Sequence, residues 1–76
     1  MKVFVTGVNG QLGHDVMNEL AKRGYEGVGS DLAPEYAGVA DNTAVTKAPY
    51  VALDITDAEA VDKVISEVNP DVIIRC

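Results

Sequence analysis

The chain has 76 residues, 47% of them hydrophobic and 24% charged, with a formal net charge of −6. These values are typical of a globular protein and exclude a disordered segment, and the length allows one domain at most. No apolar run reaches the ~20 residues of a membrane span, and the acidic balance excludes binding to the phosphate backbone of nucleic acid. Because the start lacks a signal-peptide pattern and Cys76 is the single cysteine, we expect a cytoplasmic protein without disulfides.

The first half of the chain predicts a strand, a helix and a second strand. Residues 2–6 predict a buried strand, because Val3, Phe4 and Val5 form a continuous apolar run that is bounded by Gly7. Over residues 11–23 apolar side chains recur at helical spacing and would form the buried stripe of an amphipathic helix, namely Leu12, Val16, Met17, Leu20 and Ala21. Gly24 would end this helix, and residues 25–31 predict a short second strand.

The second half predicts two more strands with a helix between them. Residues 32–49 are interrupted by prolines and a glycine, and they predict a short helical turn and a loop. Residues 50–53 predict the third strand and residues 71–76 the fourth. The helix is indicated by apolar residues that share one face, Ala60, Val61, Val64, Ile65 and Val68. Thr56 and Glu59 would form a capping box at its start.

Strands that alternate with helices predict a parallel sheet with right-handed crossovers. We therefore expect an α/β fold, a partial Rossmann fold over residues 1–76, whose sheet has about four strands in the order 3-2-1-4 with flanking helices. The fourth strand then lies at an edge, where Val72, Ile73 and Ile74 would lack a neighbour on one side. We expect self-association through this strand, or a partner chain that completes the sheet.

Three glycines at a spacing of three connect the first strand to the first helix. A helix N-terminus presents unpaired N–H groups and the positive end of the helix dipole, which together attract an anion. Gly7 would permit the tight turn, Gly10 the approach of a pyrophosphate to the backbone, and Gly13 close packing of helix on sheet. The amides around Gly10, Gln11 and Leu12 are the expected donors. The alternative is a turn whose glycines serve only the backbone.

Two acidic residues follow predicted strands at the same edge of the sheet. Asp31 stands 18 residues beyond Gly13, where a carboxylate accepts hydrogen bonds from the adenosine ribose, although a strand-end acid can also occur without a ligand. No arginine stands beside Asp31, so we expect NADH to be favoured over NADPH, whose 2′-phosphate would be repelled. Asp54 would accept from the adenine amino group, with Ile55 against the ring, or would instead cap the turn before Thr56. Both interpretations stand.

The remaining candidate residues predict no catalytic or metal site. His14, the single histidine, would lie in the first helical turn on the side away from the apolar stripe and would face solvent. Tyr25, Tyr36 and Tyr50 would be packing or surface residues.

Two strings resemble the N-terminal part of dTDP-4-dehydrorhamnose reductases, in the extended short-chain dehydrogenase/reductase family: VTGVNGQLGHDV at residues 5–16 and LDITDAEAVDKVISEVNPDVIIRC at residues 53–76. The resemblance implies a dinucleotide whose pyrophosphate is surrounded by Gly7, Gly10, Gln11, Leu12 and Gly13. It also implies that Asp31 meets the adenosine ribose, and that Asp54 and Ile55 meet the adenine. Members of this family reduce a 4-keto sugar nucleotide with NADPH or NADH in dTDP-L-rhamnose biosynthesis.

The chain departs from this family in two places. Arg75 stands where the family usually has a histidine or another small polar residue close to the cofactor, and no tyrosine is followed four places on by the lysine of the catalytic Tyr-x-x-x-Lys. We therefore expect an NAD(P)H-binding fragment of an oxidoreductase that is inactive alone, because the proton donor and the sugar-nucleotide domain would follow residue 76. Whether the fragment holds the dinucleotide is left open. The alternative is a non-catalytic nucleotide-binding or regulatory module.

Overall fold

The computed structural model describes residues 1–34 and 49–76. Its elements in chain order are β1 Lys2–Thr6, α1 Gln11–Lys22, β2 Glu26–Asp31, β3 Tyr50–Ala52, α2 Ala58–Val68 and β4 Val72–Arg75. These strands and helices occur where the sequence predicts them, with ends that differ by one or two residues. Most of the segment predicted as a helical turn and a loop, residues 35–48, lies outside the described residues. Within the described ranges, neither helix combines the length and the apolar character that crossing a membrane requires.

The four strands form one parallel sheet in the order β3-β2-β1-β4. This arrangement confirms the predicted α/β fold and the predicted strand order. β1 lies at the centre, where Val5 is opposite Gly29 of β2 on one side and Ile74 of β4 on the other. Residues 3–6 of β1 are buried, because a strand on each side and a helix on each face exclude water.

The first face of the sheet is covered by α1, whose orientation differs from the predicted one. Met17 and Leu20 pack on a core that includes Val3, Val5 and Val8. The predicted stripe is wrong for Leu12, which is 67% exposed, and for Ala21, which is also exposed. The reason is Gly13, where an added Cβ would lie 2.7 Å from the Cα of Val8. The helix approaches the sheet at this glycine, and Met17 and Leu20 follow it into the core.

The same rotation of α1 buries His14, which the sequence predicted to face solvent. The residue is only 2% exposed, and its Nε2 lies 3.2 Å from the Nδ2 of Asn18, one turn further along the helix. The prediction is wrong because it centred the contact face on Leu12 and Val16, whereas the buried side of α1 includes Gly13 and His14.

The second face of the sheet is covered by α2, which packs against Phe4, Val28 and Leu53. The predicted apolar face is confirmed, since the residues in contact with this core include Ala60, Val61, Val64, Ile65 and Val68. The predicted capping box is wrong. Asp57 is the N-cap residue, and its Oδ1 accepts a hydrogen bond from the Ala60 N–H at 3.2 Å. Thr56 instead donates its hydroxyl to Asp54 Oδ1 at 2.6 Å, because it belongs to the turn before the helix.

Candidate functional site

The carboxyl ends of the parallel strands share one edge of the sheet, and the predicted site residues are attached to it. The glycine loop, residues 7–10, follows β1, while Asp31 ends β2 and Asp54 comes shortly after β3. The N–H of Leu53 donates to the Asp31 carbonyl at 2.9 Å, which joins the segment after β3 to the end of β2. The fold therefore gathers residues from three separate parts of the chain at the carboxyl ends of the strands.

Gly7 makes the turn that separates β1 from α1. Its φ of 72° lies in the left-handed region, which disfavours a side chain, and a Cβ there would lie 2.6 Å from the carbonyl oxygen of Cys76. The Gly10 N–H donates to the Gly7 carbonyl at 3.2 Å and closes the turn, while the Val8 N–H donates to the Ser30 carbonyl at 3.2 Å. Backbone hydrogen bonds thus hold the glycine loop in place.

Gly10 and Gly13 differ in what surrounds them. At Gly13 an added Cβ would collide with the backbone of Gly7 and Val8, so the packing of α1 on the sheet requires glycine. At Gly10 the one described atom within 4 Å of an added Cβ is the Gly7 carbonyl oxygen, at an ordinary contact distance of 3.6 Å. The Gly10 backbone, with φ −83° and ψ 166°, suits any residue. Packing among the described residues therefore gives no reason for glycine at position 10.

The N-terminus of α1 is open. Its N-cap, Gly10, has no side chain that could accept a hydrogen bond, and the first turn of the helix contains no acidic residue. The first intrahelical bond is donated by the His14 N–H to the Gly10 carbonyl at 3.0 Å. The N–H groups of Gln11, Leu12 and Gly13 precede it and have no partner within the helix. An anion at this position would meet these donors and the positive end of the helix dipole.

Asp31 links the end of β2 to the glycine loop. Its Oδ2 accepts a hydrogen bond from the N–H of Asn9 at 3.0 Å, although the two residues are 22 positions apart in the sequence. Its Oδ1 accepts one from the N–H of Leu32 at 2.8 Å. The side chain is only partly buried, and a carboxylate has about four acceptor sites, so further ones are available to the hydroxyls of a ligand.

Tyr50, the first residue of β3, contributes a contact that sequence reasoning missed. Its ring packs on the α1-side core, as expected of a packing residue, but its hydroxyl lies 2.6 Å from the Ala33 carbonyl oxygen and 3.1 Å from that of Asp31. Burial raises the pKa of this phenol and the Asp31 charge raises it further, whereas hydrogen bonds with Asn9 and with the Asp31 backbone oppose the shift. No local pattern signals this contact, because it depends on the register that sets Tyr50 opposite Gly29.

Asp54 has the contacts of a turn cap. Its Oδ1 accepts hydrogen bonds from the Thr56 hydroxyl at 2.6 Å and from the Thr56 N–H at 2.9 Å, and these bonds lower the pKa of the Asp54 carboxyl. Asp54 and Ile55 are both exposed. Of the two interpretations of Asp54, the contacts within the chain are those of the cap, so an adenine would have to use the second carboxylate oxygen.

A cavity of about 270 Å³ lies on the opposite face of the sheet, between α2 and β4. The residues that line it are mostly apolar: Phe4, Thr6, Leu53, Ile55, Val61, Ile65, Ile73 and Arg75. Of the predicted site residues, Ile55 alone borders this cavity. The N-terminus of α1 and the cavity are therefore separate features, and Arg75 belongs to the second.

A family described as the NAD dependent epimerase/dehydratase family matches residues 3–76. Over 76 residues the chain is 36% identical to the Haloferax volcanii protein named "Probable low-salt glycan biosynthesis reductase Agl14", with 100% of this chain and 23% of that protein covered.

Two solved structures are similar over nearly the whole chain. UDP-glucose 4-epimerase from Thermotoga maritima, solved with UDP-glucose, is 25% identical with a TM-score of 0.81, and 100% of this chain and 24% of that chain are covered. The Bordetella bronchiseptica enzyme WbmH, solved in complex with NAD+, is 28% identical with a TM-score of 0.74, and 99% of this chain and 25% of that chain are covered. The chain thus spans about a quarter of the length of these relatives.

Proposed function

Because the chain belongs to the NAD dependent epimerase/dehydratase family, we propose that the N-terminus of α1 binds the pyrophosphate of a nicotinamide dinucleotide. The open space at Gly10 is the observation that carries this proposal. Among the described residues, conformation or packing requires glycine at Gly7 and Gly13 but not at Gly10, and a pyrophosphate held against the backbone supplies the missing reason. The N–H groups of Gln11 and Leu12, with that of Gly13, are the donors that we assign to the phosphates.

In this proposal Asp31 accepts hydrogen bonds from the adenosine ribose. Its 3.0 Å contact with the Asn9 N–H supports the assignment, since the carboxylate lies beside the loop proposed to hold the pyrophosphate, to which the ribose is attached. NADH is preferred to NADPH, because a 2′-phosphate would meet the Asp31 charge and the residues on either side of Asp31 carry no positive charge. Asp54 and Ile55 border the adenine, with Asp54 accepting through the oxygen that does not cap the turn.

For the complete enzyme, we propose reduction of a 4-keto sugar nucleotide in dTDP-L-rhamnose biosynthesis. The strings at residues 5–16 and 53–76 support this reaction, as does the Haloferax volcanii relative, whose name describes a reductase. The Thermotoga maritima epimerase, solved with UDP-glucose, supports a nucleotide sugar as the substrate class. The dinucleotide supplies the hydride when bound, and this chain holds and orients it. The proton donor and the sugar-nucleotide site are assigned to the part of the enzyme that this chain does not span.

We also propose that β4 pairs with β4 of a second copy of the chain. Val72 and Ile73 are exposed on this strand, which is terminal in the described sheet, and the free edge of a strand can extend a sheet. Antiparallel pairing about Ile73 would set Asp71 of one copy opposite Arg75 of the other. Opposite charges at facing positions stabilise such a pair, so the edge is complementary to itself.

Gly10→Val tests the proposed pyrophosphate site. The added side chain fills the space assigned to the pyrophosphate, so we expect the affinity for NADH, measured by titration calorimetry, to fall by at least ~100-fold, which corresponds to ~3 kcal/mol. The circular dichroism spectrum should stay close to that of the unchanged chain. Ala21→Val is the control, since it creates the same valine side chain at an exposed position of α1, away from the glycine loop. Undiminished NADH affinity in folded Gly10→Val would overturn the proposal.

A further inference from the structure

The hydroxyl of Tyr50 meets the chain where β2 ends and the segment with Asp31 begins. It lies 2.6 Å from the Ala33 carbonyl oxygen and 3.1 Å from the Asp31 carbonyl oxygen. We propose that Tyr50 is a positioning residue of the dinucleotide site, which holds residues 31–33 so that the Asp31 carboxylate stands where the ribose binds. This inference rests on the proposed function and adds to it a residue that would not touch the ligand.

Strand pairing and packing of the ring hold the Tyr50 hydroxyl in place. β3 is paired with β2, with Tyr50 opposite Gly29, and the ring is half-buried against the core beneath α1. The Asp31 carbonyl is also held by the N–H of Leu53 at 2.9 Å. The distinctive contacts of the tyrosine are therefore those with Ala33, two residues past Asp31, and with the Asn9 side chain in the glycine loop.

The position of Asp31 matters to both ends of the proposed site. Its two carboxylate oxygens accept from the N–H of Asn9, in the glycine loop, and from the N–H of Leu32. A shift of residues 31–33 would pull the carboxylate away from Asn9 and change the distance between the ribose and pyrophosphate positions. A phenol is protonated near neutral pH, and burial raises the pKa of Tyr50 further, so its hydroxyl continues to donate.

Tyr50→Phe removes the hydroxyl and keeps the ring, so the test separates positioning from packing. In the full chain we expect the dissociation constant for NADH to rise about fivefold, the loss of one hydrogen bond acting through the carboxylate. In an Asp31→Ala background the same substitution should change the dissociation constant for NADH by less than about twofold. The hydroxyl acts through the Asp31 carboxylate, so its effect is lost when the carboxylate is absent, and the two substitutions are not additive. Tyr25→Phe, at a tyrosine that is 39% exposed, should leave binding unchanged.

A second readout needs no ligand, which keeps a failure here distinct from a failure of the proposed function. Amide hydrogen exchange of Leu32 should accelerate about tenfold in Tyr50→Phe, since its N–H is bonded to the Asp31 carboxylate. Leu32 is the reporter and not Asn9, because the hydroxyl also bonds the Asn9 side chain directly. Exchange at Val5, in the central strand, should stay the same. Unchanged exchange at Leu32 would overturn the positioning role even if NADH binds. An equal loss of NADH affinity with and without the Asp31 carboxylate would overturn it as well.

Discussion

The two helices in the described part of the chain begin in opposite ways. α1 starts at Gly10, without a side-chain cap and without an acidic residue in its first turn. α2 starts at Asp57, whose carboxylate accepts from the Ala60 N–H, and Glu59 follows in its first turn. The N-terminus of α2 is therefore capped by a side chain of its own, whereas that of α1 is available to an external anion. The contrast indicates that the missing cap of α1 belongs to the glycine loop that precedes this helix and is not shared by α2.

The two helices also differ in how completely they cover the sheet. On the α1 side, Met17 is fully buried against Val3 and Val5. On the other side no residue of α2 is fully buried, and a cavity of about 270 Å³ lies between α2 and β4. The side that carries the glycine loop is thus the better packed one, which suits a loop whose shape the proposed pyrophosphate site requires.

The largest expected effect is at Gly13. In Gly13→Ala the new Cβ meets the backbone of Gly7 and Val8, which cannot move aside as a flexible side chain can. We expect a loss of ~3 kcal/mol or more in the free energy of unfolding, a large part of the stability of a chain this small. Gly10→Ala is the matched control, with an expected change of less than ~1 kcal/mol. Urea unfolding followed by circular dichroism measures both, and equal losses would remove the contrast between the two glycines.

The next effect compares the two packed sides directly. Met17→Ala empties a buried position under α1, and we expect it to lower the free energy of unfolding by ~3 kcal/mol. Ile65→Ala acts at a half-buried position of α2, and we expect ~1–2 kcal/mol from the smaller apolar area that it exposes. The same urea unfolding experiment checks this pair. A greater loss for Ile65→Ala would mean that the α2 side is the tighter core.

A third effect concerns the edge strand on the α2 side. Ile73→Lys places a charge on β4 and should weaken self-association by at least ~10-fold, or ~1.4 kcal/mol, in sedimentation velocity. Ile55→Lys is the control, because Ile55 is 50% exposed and Ile73 48%, but Ile55 lies in a turn and not on a strand edge. An unchanged chain that sediments as a monomer at millimolar concentration would contradict the proposed pairing, and equal effects of the two substitutions would place the contact elsewhere.

The smallest effect tests how α2 begins. Asp57→Ala removes the side chain that accepts from the Ala60 N–H, and the loss of an N-cap should lower the free energy of unfolding by ~1 kcal/mol. Glu59→Ala should change it by less than ~0.5 kcal/mol, because this exposed side chain makes no cap and interacts only weakly with the helix dipole. Thermal unfolding of both variants provides the measurement. If Glu59→Ala were the more damaging, the capping box predicted from the sequence would have to be reinstated.

Much of the candidate site could be predicted because its signals are local. The glycine spacing marks the turn between the first strand and the helix, and Asp31 is recognised as the acid at the end of the second strand. The structure joins Asp31 to the glycine loop through the N–H of Asn9. Tyr50 could not be predicted in this way. Its contact with Ala33 arises only when β3 lies beside β2 in one particular register, and no spacing along the chain encodes that register.

The order of strands and helices could be read from apolar periodicity and from glycine and proline positions, since each depends on residues a few places apart. The strand order followed as well, because right-handed crossovers leave few topologies for this alternation. Which side of α1 faces the sheet could not be read in the same way. Leu12 looks like a core residue and His14 like a surface one, but close approach at Gly13 turns His14 inward and Leu12 outward. Periodicity describes the helix alone, whereas that rotation is set by contact between two backbones.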